Sequence, residues 1–218
     1  MFQLVNGACN RHKVPAEGSV NAKVIDYRIE YLDSKAGSVP TSILPSKMTS
    51  LFAGHFALNR IDGFLGQFSL SYIANLKTTS VTTMLKLFDK KYFYTGRPGE
   101  LPCGINKMQG LQLLETGITK EISGFSAKKS IVRTDNKPDV YIYTANIENI
   151  KNPNITTPYN KVDGVLLEFY TSLSVMQMKI MALRVYNKEV DWSLFNIPQD
   201  YREITRSEME KAINELFR

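Results

Sequence analysis

The chain has 218 residues, of which 43% are hydrophobic and 22% charged, and this composition excludes a disordered or membrane-embedded protein. Its formal net charge is +6, but the positive residues are scattered, with nothing denser than pairs such as Lys128 and Lys129. Nucleic-acid-binding proteins concentrate such charge into a stripe that follows successive phosphates. The composition therefore argues against a nucleic-acid partner.

The first nine residues, MFQLVNGAC, are similar to the end of a secretory signal peptide because they finish in small residues, although they lack a basic start and a full apolar core. We expect residues 1–19 to be a signal remnant with a flexible N-terminus, and residues 20–218 to form one β-rich domain. Cys9 then has three interpretations, namely lipidation after cleavage, a disulfide with Cys103, or a free thiol. No other segment approaches the roughly 20 apolar residues that span a bilayer.

Alternation of apolar and polar residues is the dominant pattern along the chain and predicts β-strands. Three long runs show it, with these residues on one face: Ile25, Tyr27, Ile29 and Tyr31 in the first; Phe64, Phe68, Leu70, Tyr72, Ala74 and Leu76 in the second; Val81, Thr83, Leu85 and Leu87 in the third, the β-prone run SVTTMLKLFDKKYFY of residues 80–94. Further strands are predicted at 111–122, 125–132, 140–144, 165–171 and 175–186. The predicted fold is a single, strongly curved antiparallel sheet with few helices.

Helix signals are few. Thr205 and Glu208 form a capping box before an apolar stripe at helical spacing, which predicts a C-terminal amphipathic helix that could cover the sheet. A short helix is predicted in LPSKMTSLFA after Pro45, with Ser46 as its cap. The segment DWSLF predicts a single helical turn.

Motifs that carry catalysis or metal binding are missing from the sequence. The chain has two histidines and two cysteines, without the close spacing that zinc sites use, and it has no nucleophile elbow, phosphate-binding loop or dinucleotide fingerprint. His55 alternates onto the side of Asn59 and away from Phe56 and Leu58, so we expect it at the surface. We therefore predict no catalytic residue, no metal and no cofactor.

The stretch NPNITTPYNKVDGVLLEFYTS joins a turn-rich tract to an apolar strand. Gly164 stands at the join, where we expect it to give the turn its backbone freedom. Asn154-Ile155-Thr156 fits an N-glycosylation acceptor, which matters only in a eukaryotic secretory setting.

Four segments of the second half, KEISGFSAKKSIV, VYIYTANI, NKVDGVLLEF and VDWSLFNIPQDYREIT, resemble the GLPGLI-type secreted proteins of Gram-negative envelopes and their relatives. The shared features are an isoleucine-x-glycine-aromatic element, paired lysines, a tyrosine-threonine strand, a loop with prolines, a glycine before an apolar strand, and a phenylalanine-x-isoleucine-proline-x-x-tyrosine element. They correspond here to Ile122, Gly124 and Phe125, to Lys128 and Lys129, to Tyr143 and Thr144, to Pro153 and Pro158, to 164–169 and to 195–201. VDGVLLEF stands where the group has glycine-leucine-proline-glycine.

This resemblance implies a fold like that of the lipoprotein-sorting carriers LolA and LolB, which is an incomplete antiparallel barrel with a concave apolar face partly covered by helices. It implies a periplasmic or extracellular location, with anchoring to the outer membrane if Cys9 is lipidated. It implies no activity, because fold is not function.

Methionine and aromatic side chains on the strands suggest either a ligand-binding concavity or a filled core. Our first hypothesis is a non-enzymatic envelope protein that binds an acyl chain, a lipid or an apolar peptide on the concave face. The alternative is an envelope interaction or structural module with a filled core, an envelope protein as partner and no small ligand. The predicted ligand-binding residues are Phe68, Leu70, Tyr72, Met84, Phe88, Leu167, Phe169, Met178 and Ile180.

Overall fold

The computed structural model describes residues 18–33, 35–36, 39–40, 42, 44–135 and 137–216. This part of the chain is mainly β-structure. Its strands are β1 (Ser19–Tyr31), β2 (Lys35–Ala36), β3 (Val39–Pro40), β4 (Lys47–Ala53), β5 (Phe56–Gly63), β6 (Phe68–Asn75), β7 (Ser80–Leu87), β8 (Lys90–Thr95), β9 (Gln112–Ile122), β10 (Phe125–Thr134), β11 (Lys137–Ala145), β12 (Val165–Leu173), β13 (Met176–Asp191) and β14 (Arg202–Glu203). Its helical elements are the 3-10 helices Phe64–Gly66 and Trp192–Phe195 and the α-helix α1 (Arg206–Glu215).

Twelve of the described strands form one sheet, in the order β14-β8-β7-β6-β5-β4-β1-β13-β12-β11-β10-β9. Neighbouring strands are antiparallel except for the short parallel pair of β14 and β8. Strands β2 and β3 form a separate two-stranded ribbon. The prediction of one large, mostly antiparallel sheet is confirmed.

Strand β1 lies in the middle of the sheet and joins two halves. On one side it pairs with β4, which begins a meander that runs in chain order to β8; on the other side it pairs with β13, which ends a meander that begins at β9. The pairing of β1 with β13 extends from Ser19 opposite Asp191 to Tyr31 opposite Met178. The hydrogen bonds of β1 therefore connect residues far apart in the sequence.

Side chains alternate along β1, so that Ile25, Tyr27 and Ile29 lie on one face of the sheet and Ala22 and Val24 on the other. We call these the inner face and the outer face. The main core packs against the inner face and includes, from the strands, Ile25, Tyr27, Ile29, Ala57, Ile61, Phe68, Leu70, Tyr72, Ala74, Val81, Leu85, Leu167, Met178 and Ile180. The alternating faces predicted for β1, β6 and β7 are thus confirmed in this core.

The outer face carries a second core, which the chain covers with the segment that follows β13. Phe56 of β5 contacts the rings of Trp192 and Phe195 at centroid distances of 6.1 and 6.0 Å. Trp192 and Phe195 belong to the predicted DWSLF turn, which is confirmed as a 3-10 helix, with the Asp191 side chain accepting a hydrogen bond from the Ser193 N–H at 2.7 Å. Both faces of this half of the sheet are therefore buried.

The helix predicted after Pro45 is wrong, because residues 47–53 form strand β4. Ser46, the predicted cap, instead accepts a backbone hydrogen bond from Ile29 at 2.8 Å. Strand β4 pairs with β1 on one side and β5 on the other. These long-range hydrogen bonds outweigh a local capping signal.

The C-terminal helix is confirmed with its capping box, since Glu208 accepts from the Thr205 N–H at 2.8 Å and Thr205 accepts from the Glu208 N–H at 3.3 Å. Met209 and Ile213 of α1 are fully buried in the main core. The Glu210 carboxylate accepts a hydrogen bond from the Gly104 N–H at 2.9 Å, which ties α1 to the segment between β8 and β9. No helix in the described ranges is long and apolar enough to cross a bilayer.

Candidate functional site

A cavity of about 120 Å³ lies against the inner face of the sheet. Strands from both halves of the sheet line it, together with two loops. The lining residues are Tyr27, Met48, Ser50, Phe52, Asn59, Ile61, Tyr72, Ala74 and Val81 from β1 and β4–β7; Val165, Leu166, Phe169, Thr171, Leu173, Met178 and Ile180 from β12 and β13; Pro102 and Ile105; and Pro153, Asn154, Thr156, Thr157, Pro158 and Tyr159.

The sheet bends around this cavity. Val81 of β7 and Leu166 of β12 both line it, although six strand-to-strand steps separate their strands in the sheet. In a flat sheet, at about 4.8 Å per strand, the two would be roughly 29 Å apart. The strands on either side of β1 must therefore curve toward each other on the inner side.

Residues 152–164, which we call the lid loop, close one side of the cavity. The Asn154 amide nitrogen donates to the carbonyl oxygens of Val162 and Gly164, both at 2.8 Å. The Thr157 hydroxyl donates to the Asn154 carbonyl oxygen at 2.8 Å, and the buried Tyr159 hydroxyl donates to the Tyr170 carbonyl oxygen. The lid loop is therefore fixed by its own hydrogen bonds as well as by contact with β12.

Gly164 ends the lid loop with a backbone φ of +78°. A Cβ atom there would lie 2.9 Å from the Ala145 carbonyl oxygen. Only glycine combines this left-handed conformation with such a close approach of two backbones, which confirms its predicted role in the turn.

A row of polar side chains crosses the otherwise apolar wall. Ser50, Asn59 and Tyr72 lie opposite one another on β4, β5 and β6. Ser50 donates to the Asn59 side-chain oxygen at 2.5 Å, and the Tyr72 hydroxyl donates to the Cys103 carbonyl oxygen at 3.0 Å. On the neighbouring strand the Tyr27 hydroxyl donates to the Leu166 carbonyl oxygen at 3.0 Å.

The cavity wall holds hydroxyl and amide groups but no side chain that is charged at neutral pH among its described residues. Burial raises the pKa of both Tyr27 and Tyr72 well above the ordinary tyrosine value, so these hydroxyls stay protonated. The wall can therefore offer hydrogen bonds and apolar contact, and it presents no general base to a bound molecule.

Four of the nine predicted ligand-binding residues line the cavity. They are Tyr72, Phe169, Met178 and Ile180. Phe68, Leu70 and Leu167 lie in the main core and are buried by other side chains, without reaching the cavity.

The predicted placement of Met84 and Phe88 on the concave side is wrong. Met84 lies in the outer core, because Val81 of the same strand faces inward and side chains alternate. The predicted long third strand is divided into β7 and β8, and Phe88 occupies the two-residue turn between them, where it is 62% exposed with a φ of +55°.

Sequence reasoning missed Asn59 and the lid loop as parts of the site. His55 is exposed, as predicted, and lies in the turn before β5. Asn59 alternates with the buried Ala57 and Ile61, and this spacing was the available signal for an inward-facing amide.

The helix α1, a predicted cover for the sheet, contributes no residue to the cavity lining, which the lid loop closes instead. The N-glycosylation signal also falls in the lid loop. Asn154 is 4% exposed and its amide already donates twice, so it is not an accessible acceptor in the folded protein.

Cys103 is buried and forms no disulfide within the described part of the chain, and burial raises the pKa of its thiol to about 11. Cys9 lies outside the described residues. The three interpretations of Cys9 therefore stay predictions.

A second polar cluster lies on the outer face, away from the cavity. Glu168 is 6% exposed, and its carboxylate contacts the ammonium groups of Lys120 at 2.7 Å and Lys179 at 2.9 Å. Lys120 also lies 4.0 Å from the centroid of the Tyr143 ring. Burial alone would raise the pKa of the Glu168 carboxyl, but the two lysines outweigh it and hold that pKa below the ordinary value. The three charged groups of this cluster are paired with one another, which indicates a structural role.

No protein-family model and no curated protein sequence matches the chain. Among solved structures, the fold is similar to that of PNGF-II in its C2 space group, with a TM-score of 0.56 and 13% sequence identity. The similarity covers 89% of this chain and 33% of the PNGF-II chain, so this chain spans about a third of that length. At this identity the similarity shows the fold alone, and the resemblance to the GLPGLI-type group stays a prediction.

Proposed function

We propose that this protein is a non-enzymatic, exported envelope protein that holds a hydrophobic ligand in the cavity of its inner face. The observation that carries the proposal is the cavity itself, which lies between two curved halves of the sheet and is closed by the lid loop. Ligand pockets are commonly concave and mainly apolar, with a few placed polar groups, and this wall has that composition.

The size of the cavity bounds the ligand. An engineered apolar cavity of about 150 Å³ in another protein holds one benzene molecule, so a volume of about 120 Å³ accommodates roughly six carbon atoms. At about 0.8 kcal/mol per methylene, six carbons contribute roughly 5 kcal/mol, so the tightest Kd is on the order of 0.1 to 1 mM, and ordering costs weaken it further.

Displacement of the lid loop would make room for a longer acyl chain. Pro153, Pro158 and Tyr159 of that loop form part of the wall, and displacing them would extend the space along β12. The proposal therefore includes two modes, a short apolar group in the closed cavity and a longer chain with the lid loop displaced.

The location and the finer fold are also parts of the proposal. The sequence resemblance to GLPGLI-type envelope proteins supports export to the periplasm or beyond, and the bent, antiparallel sheet supports an incomplete barrel of the LolA and LolB type. The described cavity wall holds no side chain that is charged at neutral pH, which supports binding rather than catalysis.

The alternative function is an envelope interaction module without a small ligand. It is favoured by the packing of Leu70 and Leu167, both fully buried in the main core. These two predicted ligand-binding residues are thus buried among core side chains and do not line the cavity.

Leucine substitutions at two alanine positions distinguish these two functions. Ala74 lines the cavity, whereas Ala22 is fully buried in the outer core. We expect Ala74→Leu to fill the cavity and abolish binding of benzene or 1-hexanol, measured by NMR titration, with little change in melting temperature. Ala22→Leu should retain binding but lose about 1 to 3 kcal/mol of stability through overpacking.

The opposite pattern would overturn the proposal. If the wild type binds no apolar probe and Ala74→Leu melts as far below the wild type as Ala22→Leu, then the inner core is filled. The interaction module would then be the better account.

A further inference from the structure

Asn59 lines the cavity, and its amide nitrogen donates to no group among the described residues. Its side-chain oxygen accepts the hydrogen bond from Ser50 at 2.5 Å. The two neighbours in register, Ser50 and Tyr72, direct their hydroxyl hydrogens to the Asn59 oxygen and the Cys103 carbonyl oxygen. Neither hydrogen of the Asn59 nitrogen has an acceptor among the described residues, so both are available to a bound molecule.

A donor in such a position favours an oxygen acceptor on the bound molecule. A polar group removed from water without a partner is costly, and a ligand that fills the cavity would remove this nitrogen from water. Purely hydrocarbon ligands would leave the donor unpaired, whereas a carbonyl or hydroxyl oxygen would pair it.

The same wall disfavours a charged ligand. The described lining residues include no lysine, arginine, histidine or carboxylate that could pair with an ion. An ion placed there would lose its water without gaining a counter-charge. Thr156 and Thr171 add uncharged hydroxyls on the opposite side of the cavity.

We infer that the cavity selects a neutral amphiphile, with a small apolar body and one uncharged carbonyl or hydroxyl oxygen that accepts a hydrogen bond from the Asn59 amide nitrogen. This inference rests on the proposed function and narrows it. It assigns Asn59 as the residue that determines specificity, and it separates alcohols, esters and amides from free fatty acids and amines.

The test compares four small ligands of similar size by NMR titration, namely benzene, 1-hexanol, hexylammonium and hexanoate at pH 7.5. In the wild type we expect 1-hexanol to bind at least about a hundredfold more tightly than either ion, because an uncompensated charge loses its hydration. We expect Asn59→Leu to weaken 1-hexanol about tenfold, the loss of roughly one hydrogen bond, and to leave benzene within about twofold. Asn187→Leu, an exposed position of β13, is the matched control and should change neither.

The outcomes separate this inference from the proposed function. If benzene and 1-hexanol bind but Asn59→Leu affects them equally, or if hexanoate binds as tightly as 1-hexanol, the inference is wrong and the binding function stands. If neither neutral ligand binds, both are wrong. Should Asn59→Leu fail to fold, the comparison of 1-hexanol with the two ions in the wild type still decides whether the cavity selects neutral ligands.

Discussion

The Asn154 amide nitrogen donates to the Gly164 carbonyl oxygen at 2.8 Å and so joins the two ends of the lid loop. The same nitrogen donates to Val162, and the side chain is 4% exposed. One asparagine therefore donates hydrogen bonds to two backbone carbonyl groups where the loop returns to the sheet.

Replacing this asparagine should loosen the lid loop. We expect Asn154→Ala to lower the free energy of unfolding by about 2 to 4 kcal/mol, because two carbonyl oxygens lose their hydrogen bonds. Urea denaturation measures this change, and amide hydrogen exchange should rise most in residues 153–164. Asn160→Ala, at an exposed position of the same loop, should change stability by less than about 0.5 kcal/mol. Equal effects of the two variants would contradict the prediction.

A methyl group added at Gly164 should destabilise the protein more than a methyl group added at Gly99. The two glycines have similar left-handed conformations, but only Gly99 has open space around the added atom. Gly99 has a φ of +81° with nothing near its missing Cβ, whereas a Cβ at Gly164 meets the Ala145 carbonyl oxygen. We expect Gly99→Ala to cost about 1 to 2 kcal/mol from the left-handed backbone, and Gly164→Ala to cost at least about 1 kcal/mol more from the clash. Thermal unfolding of both variants checks the order, and a smaller loss at Gly164 would refute it.

Replacing Phe88 with glycine should stabilise the protein. A phenylalanine at φ +55° is strained, and relief of about 1 to 2 kcal/mol exceeds the roughly 0.5 to 1 kcal/mol that glycine costs in unfolded-chain entropy. We expect Phe88→Gly to raise the free energy of unfolding by about 0.5 to 1 kcal/mol, measured in urea.

The β12–β13 turn provides the control for this prediction. Val175 is 70% exposed and occupies the second position of another two-residue turn, where φ is not positive. Val175→Gly should therefore destabilise, since it adds entropy to the unfolded chain and relieves no strain. A loss of stability in Phe88→Gly would show that the exposed ring makes a favourable contact.

The Glu168 cluster should make the free energy of unfolding depend on pH in the acidic range. Because Lys120 and Lys179 hold the folded-state pKa of this carboxyl below its unfolded value, its contribution is present above the unfolded pKa of about 4.3 and is lost as the pH falls through the lower, folded value. We expect Glu168→Gln to lose about 2 kcal/mol at pH 7, and this difference from the wild type to shrink below about pH 4.

Urea denaturation at pH 7, 5 and 3 measures that difference. Glu148→Gln, at an exposed position without an ion pair in the described chain, should track the wild type at each pH. A difference for Glu168→Gln that stays constant from pH 7 to 3 would show that packing, not charge, explains the loss.

Local pattern was enough to predict the strands whose two faces differ. Ile25, Tyr27 and Ile29 alternate with polar residues, and the structure buries them on one face. The capping box at Thr205 likewise encodes its own helix start. In both cases the information lies within a few residues of the element that it specifies.

The sequence pattern gave wrong predictions where contacts with residues distant in the sequence determine the local conformation. Strand β4 follows a plausible helix cap, yet its conformation is fixed by β1 and β5. The turn at Phe88 lacks the glycine or asparagine that normally marks a tight hairpin, so the sequence there continues to resemble a strand. Met84 was assigned by residue type, although its own alternation with Val81 and Leu85 directs it to the other face.

The cavity could not be predicted from sequence because its two walls are far apart along the chain. Tyr72 and Met178 were chosen for their chemistry, and both reach the cavity. The lid loop has no period that marks it as part of a wall. Its position depends on the hydrogen bonds of Asn154 within the loop and on the hydrogen bond from Tyr159 to Tyr170 of β12.

The central position of β1 has a consequence for how the protein folds during synthesis. Strand β1 leaves the ribosome before the other described strands, but its longest partner is β13, so Ser19 must wait for Asp191 before the pairing is complete. The half of the sheet from β4 to β8 can assemble on β1 early, and its apolar inner surface then stays exposed until the C-terminal half arrives. Contacts this distant in sequence slow folding and expose intermediates to aggregation. The nascent chain is therefore expected to need a chaperone, or to remain unfolded, until almost all of the described residues have been made.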